Sequence, residues 1–212
     1  MFQDRTDAGG QLGERIAKDG INADIVLGIP RGALPVARPV ADELDVPLDI
    51  VVASKLGAPG NAELAIGAVA SDGSLWLNDD LVDQLQVSED FIEEEREAEA
   101  ENAHEKATQY REDGRLPELR GKHVVIVDDG VATGATAMAC LQQVKEADVA
   151  RITLAVPVGS PESLTELEAE ADAVAALEMP RDFRAVGEYY QDFGQVSDEE
   201  AMAYLDKETM GE

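Results

Sequence analysis

This chain of 212 residues is short of cysteine, aromatics and positive charge, and each scarcity closes a class of function. Cys140 is the single cysteine, so no internal disulfide can form, which fits a reducing compartment. It falls on the apolar side of a predicted helix. With only two histidines available to activate a nucleophile, a buried structural thiol is the better reading. Lysine and arginine together number 17 against 45 acids, a net charge of −28. Such a surface repels nucleic acid, whose binders neutralise phosphates with clustered Lys and Arg, so no nucleic-acid partner is expected. No apolar run is long enough to span a bilayer, and the sequence shows no charged-then-apolar leader. A cytoplasmic protein without a membrane partner is therefore expected.

Acids are abundant, and they are spread from Asp4 to Glu212 rather than gathered in a tail. Apolar content of 44% argues against disorder, which needs high charge with low hydrophobicity. The charge reads as adaptation to concentrated salt, where screening over about 3 Å at 1 M removes self-repulsion. That points to a haloarchaeal source.

Thirteen residues, Val124-Val-Ile-Val-Asp-Asp-Gly-Val-Ala-Thr-Gly-Ala-Thr136, carry the chemistry. Four β-branched apolar residues make a short buried strand, and Asp128 and Asp129 sit at its carboxyl end. A turn of small residues with two hydroxyls leads into the apolar stretch 137–144. Backbone N–H groups of such a turn, and the positive end of the helix behind it, suit a phosphate. The carboxylates can accept hydrogen bonds from sugar hydroxyls or face a divalent metal. The plain alternative is a strand ending in a polar cap, with Thr133 as a helix N-cap. Neither a Walker P-loop nor a dinucleotide Gly-x-Gly-x-x-Gly string is present.

The thirteen residues match, at every defined position, the phosphoribosyl-pyrophosphate (PRPP) motif of the type I phosphoribosyltransferases, and the chain resembles that family. The resemblance implies an α/β fold: a five-stranded parallel sheet flanked by helices, strand order 3-2-1-4-5, with the motif strand beside the first. A small hood is expected from about 1–15 and 181–212, over a core of about 20–180, all in one domain of 212 residues. The implied reaction moves 5-phosphoribosyl from PRPP to a nitrogen of a nucleobase-like acceptor, with Mg²⁺ as cofactor; a homodimer is expected. The PRPP contacts would be Pro30, Gly32, Gly130, Ala132, Thr133, Gly134, Ala135 and Thr136. Asp128 and Asp129 would be catalytic and hold the metal, while Arg31 and Lys55 neutralise pyrophosphate. Phe183, Val186, Tyr189 and Tyr190 would form the base site of the hood. A non-catalytic PRPP-binding regulator would share every PRPP contact. Ala132 stands where members acting on 6-oxopurines often carry Asp, which disfavours hypoxanthine and guanine and leaves adenine and orotate open.

Along the chain, short apolar runs alternate with helical patterns, as a parallel sheet with crossover helices requires. Helices are expected over 5–19, 34–44 and 88–113, and strands over 25–29, 48–53, 152–158 and 173–177. Ser54–Asn61, rich in breakers, reads as a loop, and a lid closing over the reactants would run from Lys55 to the segment 63–67. Asp72-Gly73 marks a hairpin turn between 66–70 and 75–78. Ser197-x-x-Glu200 is a capping box heading a last helix.

Overall fold

The computed structural model describes residues 1–111 and 113–206, the side chain of Glu63 excepted. In chain order the first elements are α1 (Arg5–Lys18), β1 (Ile25–Gly28), α2 (Leu34–Glu43), β2 (Leu48–Ile50), β3 (Ala53–Ala58), β4 (Asn61–Ala70) and β5 (Leu75–Leu77). Then come α3 (Asp79–Leu85), α4 (Glu89–Tyr110), β6 (His123–Val127), α5 (Ala135–Glu146) and β7 (Arg151–Val158). The last are α6 (Pro161–Leu167), β8 (Ala173–Glu178), a 3-10 turn at Val186–Tyr189 and α7 (Asp198–Leu205).

Five strands form a parallel sheet in the order β2-β1-β6-β7-β8. Its central strands are buried on both faces, which is why they read as unbroken apolar runs rather than alternations. Val26, Val125, Val127 and Ala155 point to one side, where Leu12 and Ile16 of α1 and Val36 and Val40 of α2 cover them. Ile25, Leu27, Val124, Ile126, Ile152 and Leu154 point to the other, against Leu141 and Val144 of α5 and Leu164 and Leu167 of α6.

The motif strand β6 lies beside β1, as the resemblance implied. The order 3-2-1-4-5 needs correction. Counted along the chain, the parallel strands run 2-1-3-4-5, because the chain leaves the sheet after β2. A parallel neighbour needs a crossover of a dozen or so residues, and only Val51 and Val52 separate β2 from β3. The segment forms instead a second, antiparallel sheet, β3-β4-β5. The stretch 54–61 is therefore a hairpin and not a loop. Its breakers concentrate in the turn Pro59–Gly60, and Ala58 pairs with Asn61 across it. The expected Asp72-Gly73 turn does join β4 to β5. α4 ends at Tyr110, three residues before the expected Asp113, because Arg111 is extended (φ −141°, ψ 129°).

The N-terminal segment meets the stretch after β8. Phe2 pairs in parallel with Tyr190, and Phe2, Val158 and Tyr190 form a small core with Phe183, Val186, Tyr189 and Phe193 around it. α7 packs elsewhere, placing Ala201 against Leu34, Ile50, Ala103 and Ala107, and its capping box is formed in full. Among the described residues, no helix is long and apolar enough to cross a membrane.

Candidate functional site

Beyond Val127 the chain turns through the two acids, and β7 and α6 hold it in place. Val131 N–H donates to the Val158 carbonyl and the Val131 carbonyl accepts from Ser160 N–H, both at 2.9 Å. Ser163 Oγ donates to the Ala132 carbonyl at 2.6 Å. Gly134, at φ +78°, is the N-cap of α5, in the left-handed region that residues with a Cβ avoid. Thr133 is thus not the cap that the plain reading required. The first-turn N–H groups of α5 have no acceptor within the helix, and the Val131 and Ala132 carbonyls are turned to Ser160 and Ser163, so an external anion can take them.

A cleft of about 390 Å³ opens above this turn. It gathers most of the residues singled out from the sequence: Pro30 and Gly32 after β1, Lys55 from β3, Asp128, Asp129 and Gly130, then Ala132, Thr133, Gly134, Ala135 and Thr136. Val186 of the hood closes one side. Four residues expected there lie elsewhere. Arg31, half exposed, pairs with Asp198 at 3.4 Å and faces a neighbouring cavity with Lys106 and Tyr110. Phe183 and Tyr189 stack on each other, with centroids 5.8 Å apart and planes at 6°. Tyr190 is buried and donates its hydroxyl to the Asp129 carbonyl at 2.6 Å. Tyr189 ends the 3-10 turn and Tyr190, just beyond it, is extended, so the two adjacent rings part, Tyr190 into the core and Tyr189 against Phe183.

Two residues that sequence reasoning passed over belong to the site. Phe193 is the hood aromatic that lines the cleft. Arg5 Nε donates to Asp129 Oδ2 at 2.8 Å, with 11% and 17% of the two side chains exposed. No local signal could have found Arg5, since its partner lies 124 residues away.

The acids are held differently. Asp128 Oδ1 accepts the Asp129 N–H at 2.8 Å. Burial, and then the charge of Asp129, push the Asp128 carboxyl up to about 8, with Lys55 and Arg5 opposing. Burial also raises Asp129, while Arg5 pulls it down through its hydrogen bond and charge. Gly32 comes so close to the Asp129 carboxylate that a Cβ there would strike Oδ2. One oxygen of each acid is thus committed within the protein. Among the described residues no group of three or more His, Cys, Asp or Glu gathers around a metal position. The donor set fits a Mg²⁺ ion that draws most of its ligands from substrate phosphates and water, and not a protein cage.

A profile of the phosphoribosyl transferase domain matches residues 5–73 and 60–192. This chain belongs to the phosphoribosyl transferase family. A Mycobacterium tuberculosis protein with the provisional name phosphoribosyl transferase is 42% identical over 210 residues. The match covers 98% of this chain and 47% of that protein, so the chain spans about half the length of the curated relatives it matches. The crystal structure of TT1426 from Thermus thermophilus is 43% identical, covers 97% of both chains and superposes with a TM-score of 0.81. AQ2163 from Aquifex aeolicus, 16% identical over 84% of this chain and 77% of its own, at a TM-score of 0.51, shares the fold alone. These sources lend no support to the haloarchaeal origin read from the charge. In this phosphoribosyl transferase domain the loop 128–136 lies at the carboxyl end of the central strand of the sheet. That is where open α/β sheets bind their ligands.

Proposed function

We propose that this domain transfers the 5-phosphoribosyl group of PRPP to a nitrogen of a nucleobase-like acceptor. One observation carries the reading: two carboxylates at a strand end, an anion-ready turn and Lys55 share a single cleft. In the reaction the bond from the anomeric carbon to the diphosphate oxygen breaks as a bond to the acceptor nitrogen forms, with inversion. The transition state places positive charge on the ribose and negative charge on the leaving group, so the protein works by positioning and electrostatics. Thr133 and Thr136, with the N–H groups of the α5 first turn, hold the 5′-phosphate. Asp128 and Asp129 take the ribose hydroxyls and offset the developing positive charge, and Lys55 faces the diphosphate. Asp128 and Asp129 would also help to hold Mg²⁺, which when bound supplies charge neutralisation for the diphosphate. Val186 and Phe193 meet the base, Tyr190 supports Phe193 from behind, and Phe183 and Tyr189 stack on each other away from the cleft. The protein acts as a cytoplasmic homodimer.

A second reading, a PRPP-binding regulator that transfers nothing, is favoured by one feature. Arg31 is engaged by Asp198, which leaves Lys55 the only cation among the described residues lining the cleft. Exchange of labelled pyrophosphate into PRPP, run with Mg²⁺ across adenine, orotate, hypoxanthine and guanine, separates the two. Exchange dependent on one base supports transfer. PRPP binding without exchange for any base supports the regulator, and no PRPP binding removes both.

A further inference from the structure

We infer that Arg5 is a positioning residue that ties the sugar-binding acid Asp129 to the hood ring Phe193, so that filling the sugar site stiffens the acceptor site. The inference rests on the PRPP reading of the cleft.

Arg5 is the first residue of α1. Asp4 caps that helix by accepting the Asp7 N–H at 2.8 Å, which fixes where the Arg5 side chain departs. Its guanidinium then touches two parts of the site with three different groups. Nε donates to Asp129 Oδ2 at 2.8 Å, and Nη1 donates to the Gly194 carbonyl, also at 2.8 Å. Cζ lies 3.8 Å from the centre of the Phe193 ring, close enough for a cation–π contact. Phe193 in turn packs on Tyr190, with centroids 4.9 Å apart, and Tyr190 returns a hydrogen bond to the Asp129 carbonyl. The contacts close a ring: Asp129, Arg5, Phe193, Tyr190 and back to Asp129. Two of its members, Asp129 and Phe193, line the cleft.

The chemistry asks for arginine. A planar guanidinium can give one edge to a carboxylate, a second N–H to a carbonyl and its flat face to a ring, whereas an ammonium is a single point charge. Burying that cation would be costly without the Asp129 partner. Backbone bonds around it add a frame, since Phe2 N–H donates to the Tyr189 carbonyl and Asp192 N–H to the Gln3 carbonyl, each within 2.9 Å. Val186 also packs on Gly130 of the motif loop, but the polar path from the Asp129 carboxylate to Phe193 and Gly194 runs through Arg5. A ligand that engages Asp129 restrains the carboxylate on which Arg5 hangs, and Arg5 restrains Phe193 and Gly194.

A mere staple would hold the hood equally with and without ligand, so the test reads the ligand-dependent part. Amide hydrogen exchange is followed by mass spectrometry on the full chain, with Mg²⁺ alone and with Mg²⁺ plus PRPP, for wild type, Arg5→Gln and Arg5→Lys. In wild type, PRPP should slow exchange both over 128–137 and over 186–196. In Arg5→Gln the slowing over 128–137 should persist while that over 186–196 is lost, and Arg5→Lys should lose part of it. If Arg5→Gln fails to fold, Arg5→Lys decides. Full hood protection in a folded Arg5 variant, or wild-type protection confined to 128–137, overturns the inference and leaves the PRPP reading standing. No protection over 128–137 in wild type overturns both.

Discussion

Arg31 is held by Asp198, 3.4 Å away, while Pro30 and Gly32 on either side of it line the cleft. Both side chains are about half exposed, and such pairs contribute only about 0–1 kcal/mol, so a phosphate could displace Asp198 easily. Asp198→Asn should therefore tighten PRPP–Mg²⁺ binding by up to ~5-fold, with little change in melting temperature. Arg31→Ala should weaken it. Calorimetric titration checks both, and an Arg31→Ala protein that binds like wild type would show that Arg31 never reaches the diphosphate.

The two motif acids should separate when mutated singly. Asp128→Asn removes a carboxylate that burial disfavours, so the fold should be as stable as wild type or more so. Its PRPP turnover should fall at least ~10²-fold, the scale for losing preorganised charge. Asp129→Asn leaves the buried Arg5 without its charged partner and should cost about 2 kcal/mol of stability. Chemical denaturation of the two variants is the check, and equal stabilities would contradict the Arg5–Asp129 geometry.

Asp128 also sets a pH dependence. Its carboxyl is raised in the folded state to about 8, so the folded protein binds that proton more tightly than the unfolded chain does. The stabilisation is present in full below about 4 and is lost as pH rises to about 8. Ligand-free wild type should thus melt lower at pH 9 than at pH 6, by more than Asp128→Asn does. Parallel melting curves for the two proteins would refute this.

In the hood, Phe193→Ala should lose about 1–3 kcal/mol of acceptor affinity, the scale of base–aromatic stacking. Phe183→Ala and Tyr189→Ala remove a pair that stacks on itself outside the cleft, and should leave acceptor binding unchanged. Titration of the base identified by pyrophosphate exchange into each variant distinguishes them. Wild-type affinity in Phe193→Ala would move the acceptor site elsewhere.

The surface charge of −28 should make stability rise with KCl from 0.1 to 3 M, as screening relieves self-repulsion. Thermal melts across that range are the measurement, and a flat or falling midpoint would remove the high-salt reading.

What the amino-acid sequence determined by itself is what is local along the chain. The strand Val124–Val127, its two acids, the small-residue turn and the start of α5 are contiguous, so each backbone preference reinforces the next. The buried strands were legible for the same reason, as were the Asp72-Gly73 turn and the Ser197–Glu200 capping box. Only the tertiary structure decided what joins across distance. Whether the residues after β2 stay in the parallel sheet depends on the two-residue link that forbids a crossover. Whether Arg31 faces the cleft depends on where α7 brings Asp198. Burial of Tyr190 against Phe2 selects which of two adjacent tyrosines supports Asp129, and leaves Phe193 as the aromatic that meets the cleft. Arg5 and Asp129 are 124 residues apart, and no pattern in either neighbourhood encodes their bond. Their meeting is fixed by the packing of α1 on α2 and of the N-terminal segment on the tail, because side-chain direction over long range follows from the folded core and not from local preference.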